Sequence, residues 1–326
     1  MNLVKDYKQY FTPDKLAAYM VSIIPDDTIK AVVDLSMGEC GLLEEAKKRW
    51  PNAELYGADI DKELIKKINK KSPYIKTFHG DSLSAKLKNW KSYNKIVSNH
   101  GFDLAIANPP FNFYDQVTVS INGSQKMALP IEMRFLLKYI DIVKENGYIC
   151  IILPYGFLSL DLYKNLRTLL LKKVTIIKVI KIFDRCFEKI DADTCLILMK
   201  KKKKEEKNIQ AEIHIEYLDS NYNLSNGQMA LVNQVDRWDL EYQHLLSQTN
   251  IIVESTGFER AELAKYIKSC RRGKSVTKNK EFLVDKGIRF IHTTDVKKLY
   301  ISNENKQYVC NNKNFFGNAV LHENDV

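Results

Sequence analysis

Phe102-Asp103-Leu104-Ala105-Ile106-Ala107-Asn108-Pro109-Pro110-Phe111 reads as an apolar strand that runs straight into a rigid exit. The two consecutive prolines remove two backbone donors and fix φ twice, so the chain leaves its sheet at that point. An amide side chain, a bare carbonyl and an aromatic ring therefore stand at the carboxyl end of a strand. In open α/β sheets this edge is where ligands bind.

Short apolar runs and helical patterns alternate on both sides of that stretch. Upstream, the sequence predicts strands at Ala31–Asp34, Glu54–Ala58 and Ile75–His79, with Leu104–Ala107 as the fourth. Between them, Leu42–Trp50 and Lys62–Lys70 carry helical spacing, and a helix over Leu16–Ile24 is entered through Thr12-Pro13-Asp14. Thr12 or Asp14 is expected to cap it, since proline is tolerated in a first turn. Downstream, a helix is expected over Met133–Val143, and Asn146-Gly147 turns into a strand over Tyr148–Leu153. A helix over Leu162–Leu171 follows. Val174–Phe183 and Thr194–Met199 are expected to close the sheet as an antiparallel pair. The fold class is α/β, a doubly wound Rossmann-like sheet with a terminal antiparallel hairpin, followed by a smaller and incomplete C-terminal domain.

The Asn-Pro-Pro-Phe exit suits the handling of a planar exocyclic amine. Such a nitrogen is a poor nucleophile because its lone pair is delocalised into the ring. If the Asn108 side-chain oxygen and the Pro109 carbonyl each accept one N–H, the lone pair turns out of conjugation toward an electrophile. Phe111 is placed to stack on a base swung out of a duplex. The polar stretch Val117–Ala128 shows no clear period and is expected to be a mobile loop over the site, with Asn112 and Tyr114 at its mouth.

A second constellation lies on the earlier strand ends. Asp34 is followed by Ser36 and Gly38, small residues that let a nucleoside and an amino-acid tail lie against the backbone. An acidic side chain at such a turn repels phosphate and attracts an ammonium group, which favours S-adenosylmethionine over a dinucleotide. Asp59 with Ile60 ends the second strand and suits ribose hydroxyls. Asp81 and Ser82 end the third and suit the adenine edge, the carboxylate accepting from the amino group. One such turn alone is common; three acidic strand ends in order before Asn-Pro-Pro-Phe are not.

On these residues the chain resembles the gamma-class DNA adenine-N6 methyltransferases of bacterial restriction–modification systems, the group that includes the TaqI methylase. Tyr10-Phe11-Thr12-Pro13 is similar to the motif that covers the methionine end of the cofactor, and Asp34–Leu43 to the first cofactor motif. Asn108, Pro109, Pro110 and Phe111 match the catalytic tetrapeptide, with Asn108 and Pro110 also facing the cofactor. The resemblance further implies that Phe135 walls the adenine pocket and that Phe187 packs on the flipped base, Phe183 competing for the latter role. It departs from the family at Leu35, where proline is usual, and at Cys40, where a second glycine is usual. Cys40 either crowds the methionine tail or presents only its backbone to it.

The resemblance covers roughly residues 8 to 200. It implies site-specific transfer of a methyl group to adenine N6 of double-stranded DNA by base flipping, in the bacterial or archaeal cytoplasm at the nucleoid. A cognate restriction endonuclease or a second specificity chain is the implied partner. Two other readings stay open. RNA guanine-N2 and protein-glutamine methyltransferases also use Asn-Pro-Pro-aromatic, and a degenerate, non-catalytic DNA-binding subunit would keep the same sheet.

Composition agrees with a polyanion partner. The 326 residues carry a formal charge of +10, with 45% hydrophobic and 28% charged residues. Six scattered cysteines without Cys-x-x-Cys spacing read as reduced core thiols, and the dispersed histidines offer no metal-ligand spacing, so no metal is expected. No apolar run approaches the length of a membrane span. Trp50, Trp90 and Trp238 are expected to pack rather than bind. Lys200–Lys204 reads as a solvated end to the sheet. The boundaries expected are a methyltransferase domain at 1–207, a linker or β extension at 208–235, and a partial target-recognition domain at 236–326. Arg237–Tyr242 would open the last of these, Gly287–Val296 would be its first strand and turn, and Arg271–Ser275 a phosphate contact.

Overall fold

The computed structural model describes residues 11–121, 125–183, 186–187, 193–206, 212–231, 237–257, 261, 265, 280–291 and 306–316. Tyr10, Cys270, the basic run Arg271–Ser275 and the stretch 292–296 lie outside them. The chain divides into two compact units, Met1–Ile252 and Val253–Val326.

The first unit is built on one sheet. Its strands are β1 (Ala31–Asp34), β2 (Glu54–Asp59), β3 (Ile75–His79), β4 (Phe102–Ala107), β7 (Val143–Pro154), β8 (Val174–Ile182), β9 (Thr194–Lys201), β10 (Glu212–Leu218) and β11 (Leu224–Leu231). A separate hairpin pairs β5 (Val117–Ile121) with β6 (Gln125–Leu129). The order across the sheet is β11-β10-β8-β9-β7-β4-β1-β2-β3. Neighbours from β3 through β7 run parallel, whereas β9 is antiparallel to both β7 and β8.

All six residues of β4 and all four of β1 are buried, the near-continuous apolar pattern of strands covered on both faces. Successive side chains feed opposite layers. Val33 and Ala105 join a cluster with Tyr56, Trp90, Phe102 and Tyr139. Val32, Leu104 and Ile106 join another with Leu16, Leu43 and Ile65. The first layer is roofed by helices Lys91–Asn99, Ile131–Ile142 and Lys164–Lys173, the second by Asp14–Ser22, Gly41–Arg49 and Lys62–Lys71. Asp103, nearly buried within β4, accepts from the backbone N–H of Lys30 (3.0 Å) and Ala31 (2.7 Å), which pins the entry of β1 beside β4. From β1 the chain winds outward through β2 and β3, then returns on the other side as β4. The gap between the carboxyl ends of β1 and β4 is therefore the topological switch point.

Several local expectations are corrected. Neither Thr12 nor Asp14 caps the first helix; Pro13 occupies the cap position and no side chain bonds there. The stretch Val117–Ala128 is not a loop but contributes the two strands β5 and β6. The hairpin β8–β9 is not the end of the sheet: β10 pairs in parallel with β8, and β11 extends it. The lysine run is not solvated throughout. Lys202 is buried, and its Nζ donates to the Leu171 carbonyl at 2.8 Å, near the end of helix Lys164–Lys173. Lys201 Nζ reaches the Val143 carbonyl at 2.6 Å.

Arg237–Tyr242 lies within the first unit. The Trp238 backbone N–H donates to the Leu158 carbonyl at 2.8 Å, and its indole ring meets Phe157 edge-on at 6.3 Å. The buried Arg167 guanidinium lies over the same indole at 5.9 Å and donates to the Phe157 carbonyl at 2.7 Å. In the second unit, β12 (Leu283–Val284), β14 (Gln307–Val309) and β13 (Ile288–Phe290) form a small antiparallel sheet beside Phe282, Phe315 and Phe316. Among the described residues no helix is long and apolar enough to cross a membrane.

Candidate functional site

A cavity of about 450 Å³ opens at the switch point. Its walls include Phe11, Thr12, Asp34, Ser36, Gly38 and Asn108, so residues from three separate sequence motifs meet in one place. Glu39, Glu44, Glu45, Lys48, Lys67 and Lys71 line its outer part.

The turn after β1 is built around its carboxylate. Asp34 is 1% exposed, and its Oδ1 accepts from the Ser36 N–H (2.9 Å), the Ser36 hydroxyl (3.3 Å) and the Tyr139 hydroxyl (3.4 Å). Burial pushes its pKa up to about 7. The neighbouring Asp59 charge adds to the rise, and the Ser36 and Tyr139 hydrogen bonds oppose it. Gly38 sits at φ +52, and a Cβ there would come within 3.3 Å of the Phe11 ring. The glycine thus permits both the turn and the close approach of the ring.

Asp59 supports the turn from β2. Its Oδ2 accepts from the Gly38 N–H at 3.0 Å and its Oδ1 from the Asp61 N–H at 2.9 Å. Burial again raises its pKa, against those two bonds. Two carboxylates are thus held at one edge with little water, and each favours a cation or a hydroxyl donor as its partner. Phosphate has no place beside them.

Asn108 stands one residue beyond β4. Its Nδ2 donates to Thr12 Oγ1 at 3.2 Å, which ties the tetrapeptide to the motif ninety-six positions upstream. Thr12 therefore orients the amide rather than capping a helix. Pro109 is buried and Pro110 and Phe111 are half-buried. Phe111 packs on the same layer that contains Phe187, which is 5% exposed, and Phe183, which meets Tyr222 edge-on at 5.7 Å.

Asp59 and Pro110 do not line the cavity, and the remaining expected ligands also lie outside its wall. Ile60 is partly exposed and Asp81 exposed, the latter accepting from the Leu83 N–H at 2.9 Å. Ser82 is buried, and its hydroxyl makes no hydrogen bond among the described residues. Phe135 is buried and stacks on Tyr139 at 6.2 Å.

Two functional neighbours were not foreseen from the sequence. Tyr139 bridges the site, accepting from the Leu35 N–H at 2.9 Å while it reaches Asp34. Its position four residues after Phe135 puts both on one helical face, a signal the sequence does carry. Glu132, on the same helix, is buried and accepts from the Asn112 N–H at 3.2 Å. Cys40 speaks against the crowding alternative. It adopts φ 61, the left-handed conformation that explains why glycine is usual there, and its fully buried thiol lies 3.7 Å from Glu44 Oε1. It does not line the cavity.

Comparison with known proteins agrees with this geometry. The family model of the N-6 DNA methylases matches residues 2–238. A protein of Methanocaldococcus jannaschii, named for a type II restriction enzyme and methyltransferase, is 30% identical over 156 residues, 46% of this chain. The match takes in 13% of that relative's length, so the chain spans only a small part of it. Among solved structures, a modification subunit assigned to a type I restriction enzyme of Vibrio vulnificus superposes with a TM-score of 0.55 at 13% identity. That match takes in 72% of this chain and 58% of the other. A protein of Listeria monocytogenes, assigned to the class I S-adenosylmethionine-dependent methyltransferases, gives 0.51 at 17% identity, over 68% and 71%. These likenesses share the fold: a large, mostly parallel sheet within an α/β architecture. With the family model matched across most of its length, this chain belongs to the N-6 DNA methylase family.

Proposed function

We propose that this chain transfers the methyl group of S-adenosylmethionine to the N6 amino group of adenine in double-stranded DNA, as the modification arm of a restriction–modification system. The observation that carries the reading is the meeting of Asn108, tied to Thr12, with the buried Asp34 turn in one cavity at the switch point. Family membership supports the same reaction class.

The polar groups at this sheet edge, Thr12, Asp34, Ser36 and Asn108 on the cavity wall and the others beyond it, suit S-adenosylmethionine. Asp34 and Ser36 suit the amino-acid end, with its ammonium group beside a desolvated carboxylate. Asp59 and Ile60 suit the ribose, and Asp81, Ser82 and Phe135 the adenine. When bound, the cofactor supplies an electrophilic methyl group. Asn108 Oδ1 and the Pro109 carbonyl accept the two hydrogens of the target amine, which frees its lone pair. Phe111 and Phe187 stack against the extruded base, and Phe111 has the half-buried setting such a role needs. The nitrogen would take the methyl carbon as the S–CH3 bond breaks, leaving the neutral thioether S-adenosylhomocysteine, and would lose its proton to water afterwards, so no side chain is required as a base before transfer.

In this reading residues 1–207 are the catalytic domain, 208–235 a linker or β extension, and 236–326 a target-recognition module. A cognate restriction endonuclease or a second specificity chain is the partner in this reading, in the cytoplasm where the chromosome lies. The test is transfer of labelled methyl from S-adenosylmethionine to unmethylated genomic DNA, followed by nucleoside analysis. N6-methyladenine is expected. Bound cofactor with no label on DNA points to a missing partner chain; label on RNA or protein in the same assay overturns the DNA assignment.

A further inference from the structure

The loop that leaves Asn108–Phe111 is held at two points by the first turn of helix Ile131–Ile142. Glu132 is 1% exposed, and its Oε2 accepts the backbone N–H of Asn112 at 3.2 Å. Two residues on, Arg134 Nη2 donates to Asp115 Oδ2 at 2.9 Å and lies 3.5 Å from the Asp115 carbonyl oxygen. Between these anchors the loop closes on itself. The Asp115 N–H donates to the Asn112 carbonyl at 3.1 Å, and the Tyr114 N–H to Asn112 Oδ1 at 3.3 Å. Asn112–Asp115 is thus one closed turn docked on one helical turn.

A buried carboxylate is costly and is retained where its hydrogen bonds matter. Glu132 takes no part in the chemistry described above, yet it spends its acceptor on the amide immediately after Phe111. We propose that Glu132 is a positioning residue for methyl transfer. By fixing the Asn112 amide it sets where the Asn108 oxygen and the Phe111 ring stand relative to the acceptor base. This rests on the methyl-transfer reading and adds to it the group that holds its tetrapeptide from the downstream side.

Glu132→Ala is expected to lower the single-turnover rate by about 10- to 100-fold, the range a displacement of roughly 1 Å produces, with cofactor Kd and DNA KM within about threefold of wild type. Glu132→Gln keeps an oxygen acceptor for the Asn112 N–H and is expected to recover most of the lost rate. A wild-type rate in Glu132→Ala overturns the proposal. So does a loss confined to KM, or a Glu132→Gln protein as slow as Glu132→Ala. If Glu132→Ala does not fold, Asn112→Pro deletes the same bond from the donor side; a wild-type rate in it also overturns the proposal. Hydrogen–deuterium exchange at the amides of Asn112–Asp115 reads the clamp without catalysis. Exchange is expected to quicken in Glu132→Ala and to slow again in Glu132→Gln, and unchanged exchange overturns the clamp. Should wild type transfer no methyl to adenine at all, the functional reading fails while the exchange result still judges the clamp.

Discussion

Asp34→Asn is expected to make the cofactor-free protein more stable above neutral pH while weakening its response to S-adenosylmethionine. The carboxyl is 1% exposed, and its pKa rises from an ordinary 3.8 to about 7, chiefly through burial and then through the Asp59 charge. The folded state therefore prefers the protonated form. The stability this group contributes is complete below about pH 4 and is lost as pH rises toward 7. The full loss is the shift of 7 minus 3.8 at 1.36 kcal/mol per unit, or roughly 4 kcal/mol. Between pH 5 and 8 the same linkage removes roughly 2–3 kcal/mol. Asparagine is neutral throughout and retains an acceptor for the Ser36 N–H and the Tyr139 hydroxyl. The melting temperature of Asp34→Asn relative to wild type is thus expected to climb by roughly 5–10 °C from pH 5 to pH 8, at about 2–4 °C per kcal/mol for a unit of this size. Scanning calorimetry of the two apo proteins across that range measures it. A difference that stays flat with pH refutes the reasoning. Adding S-adenosylmethionine at pH 8 is expected to raise the wild-type melting temperature more than that of the variant, because the buried charge is then lost as a partner for the ammonium group.

The other expectations follow from the same geometry. Asn108→Ala should lower turnover by about 10²- to 10³-fold, as removal of a preorganised polar group does, with the thermal shift from cofactor largely kept; wild-type turnover would remove Asn108 from the mechanism. Phe111→Ala should cost about 1–3 kcal/mol of base capture, seen as a slower single-turnover rate on duplex DNA. At Cys40 the usual order of alanine over glycine should reverse. With φ at 61, Cys40→Gly should be more stable than Cys40→Ala by about 1 kcal/mol in urea unfolding, and cofactor Kd should be unchanged in both. Lys202→Ala should destabilise the apo protein by about 1.5–3 kcal/mol, since its ammonium bonds a buried carbonyl near a helix end; a neutral result in the same unfolding assay would make Lys202 a surface residue in energetic terms.

The parts of this fold that were legible in the sequence are those with local signals. β1 spans Ala31–Asp34 and β3 spans Ile75–His79, the bounds expected from the sequence, because β1 is a short apolar run closed by an acid and β3 stops at Gly80. Thr12, Asp34, Ser36, Gly38 and Asn108 meet in one cavity because parallel strands bring their carboxyl ends together. What escaped depends on pairing at a distance. The hairpin β5–β6 was hidden by polar outer positions, although Val117, Val119 and Ile121 alternate and Asn122-Gly123 is a hairpin signal. Helix Lys91–Asn99 carries Tyr93 and Ile96 at helical spacing, but its partner Trp90 stacks on Tyr93 from outside the helix. β10 alternates as a strand should, yet nothing in its own residues says that it joins β8 in parallel. Lys202 reads as charge until the Leu171 carbonyl, thirty-one positions away, is seen beside it.

The buried acids of this edge share a logic that separates site from scaffold. Asp103 is also nearly buried, but it accepts from two backbone N–H groups and pairs with Lys144, so its charge is answered within the fold. Asp34 and Asp59 accept hydrogen bonds as well, yet burial, with the Asp59 charge acting on Asp34 and the Asp61 charge on Asp59, still outweighs those bonds and leaves both pKa values raised. The bonds around them hold the carboxylates in place without compensating the cost of desolvation. A fold selected for stability alone would place an amide at position 34, which keeps the bond to Ser36 and removes the charge. A carboxylate there makes physical sense only if something cationic arrives to share the cavity. The same contrast applies at Asn108, where the Thr12 hydroxyl secures the amide nitrogen and thereby fixes which way the oxygen end is presented. Orientation secured from behind, and a desolvated Asp34 carboxylate on the wall, distinguish this cavity from the packed layers on either side of the sheet.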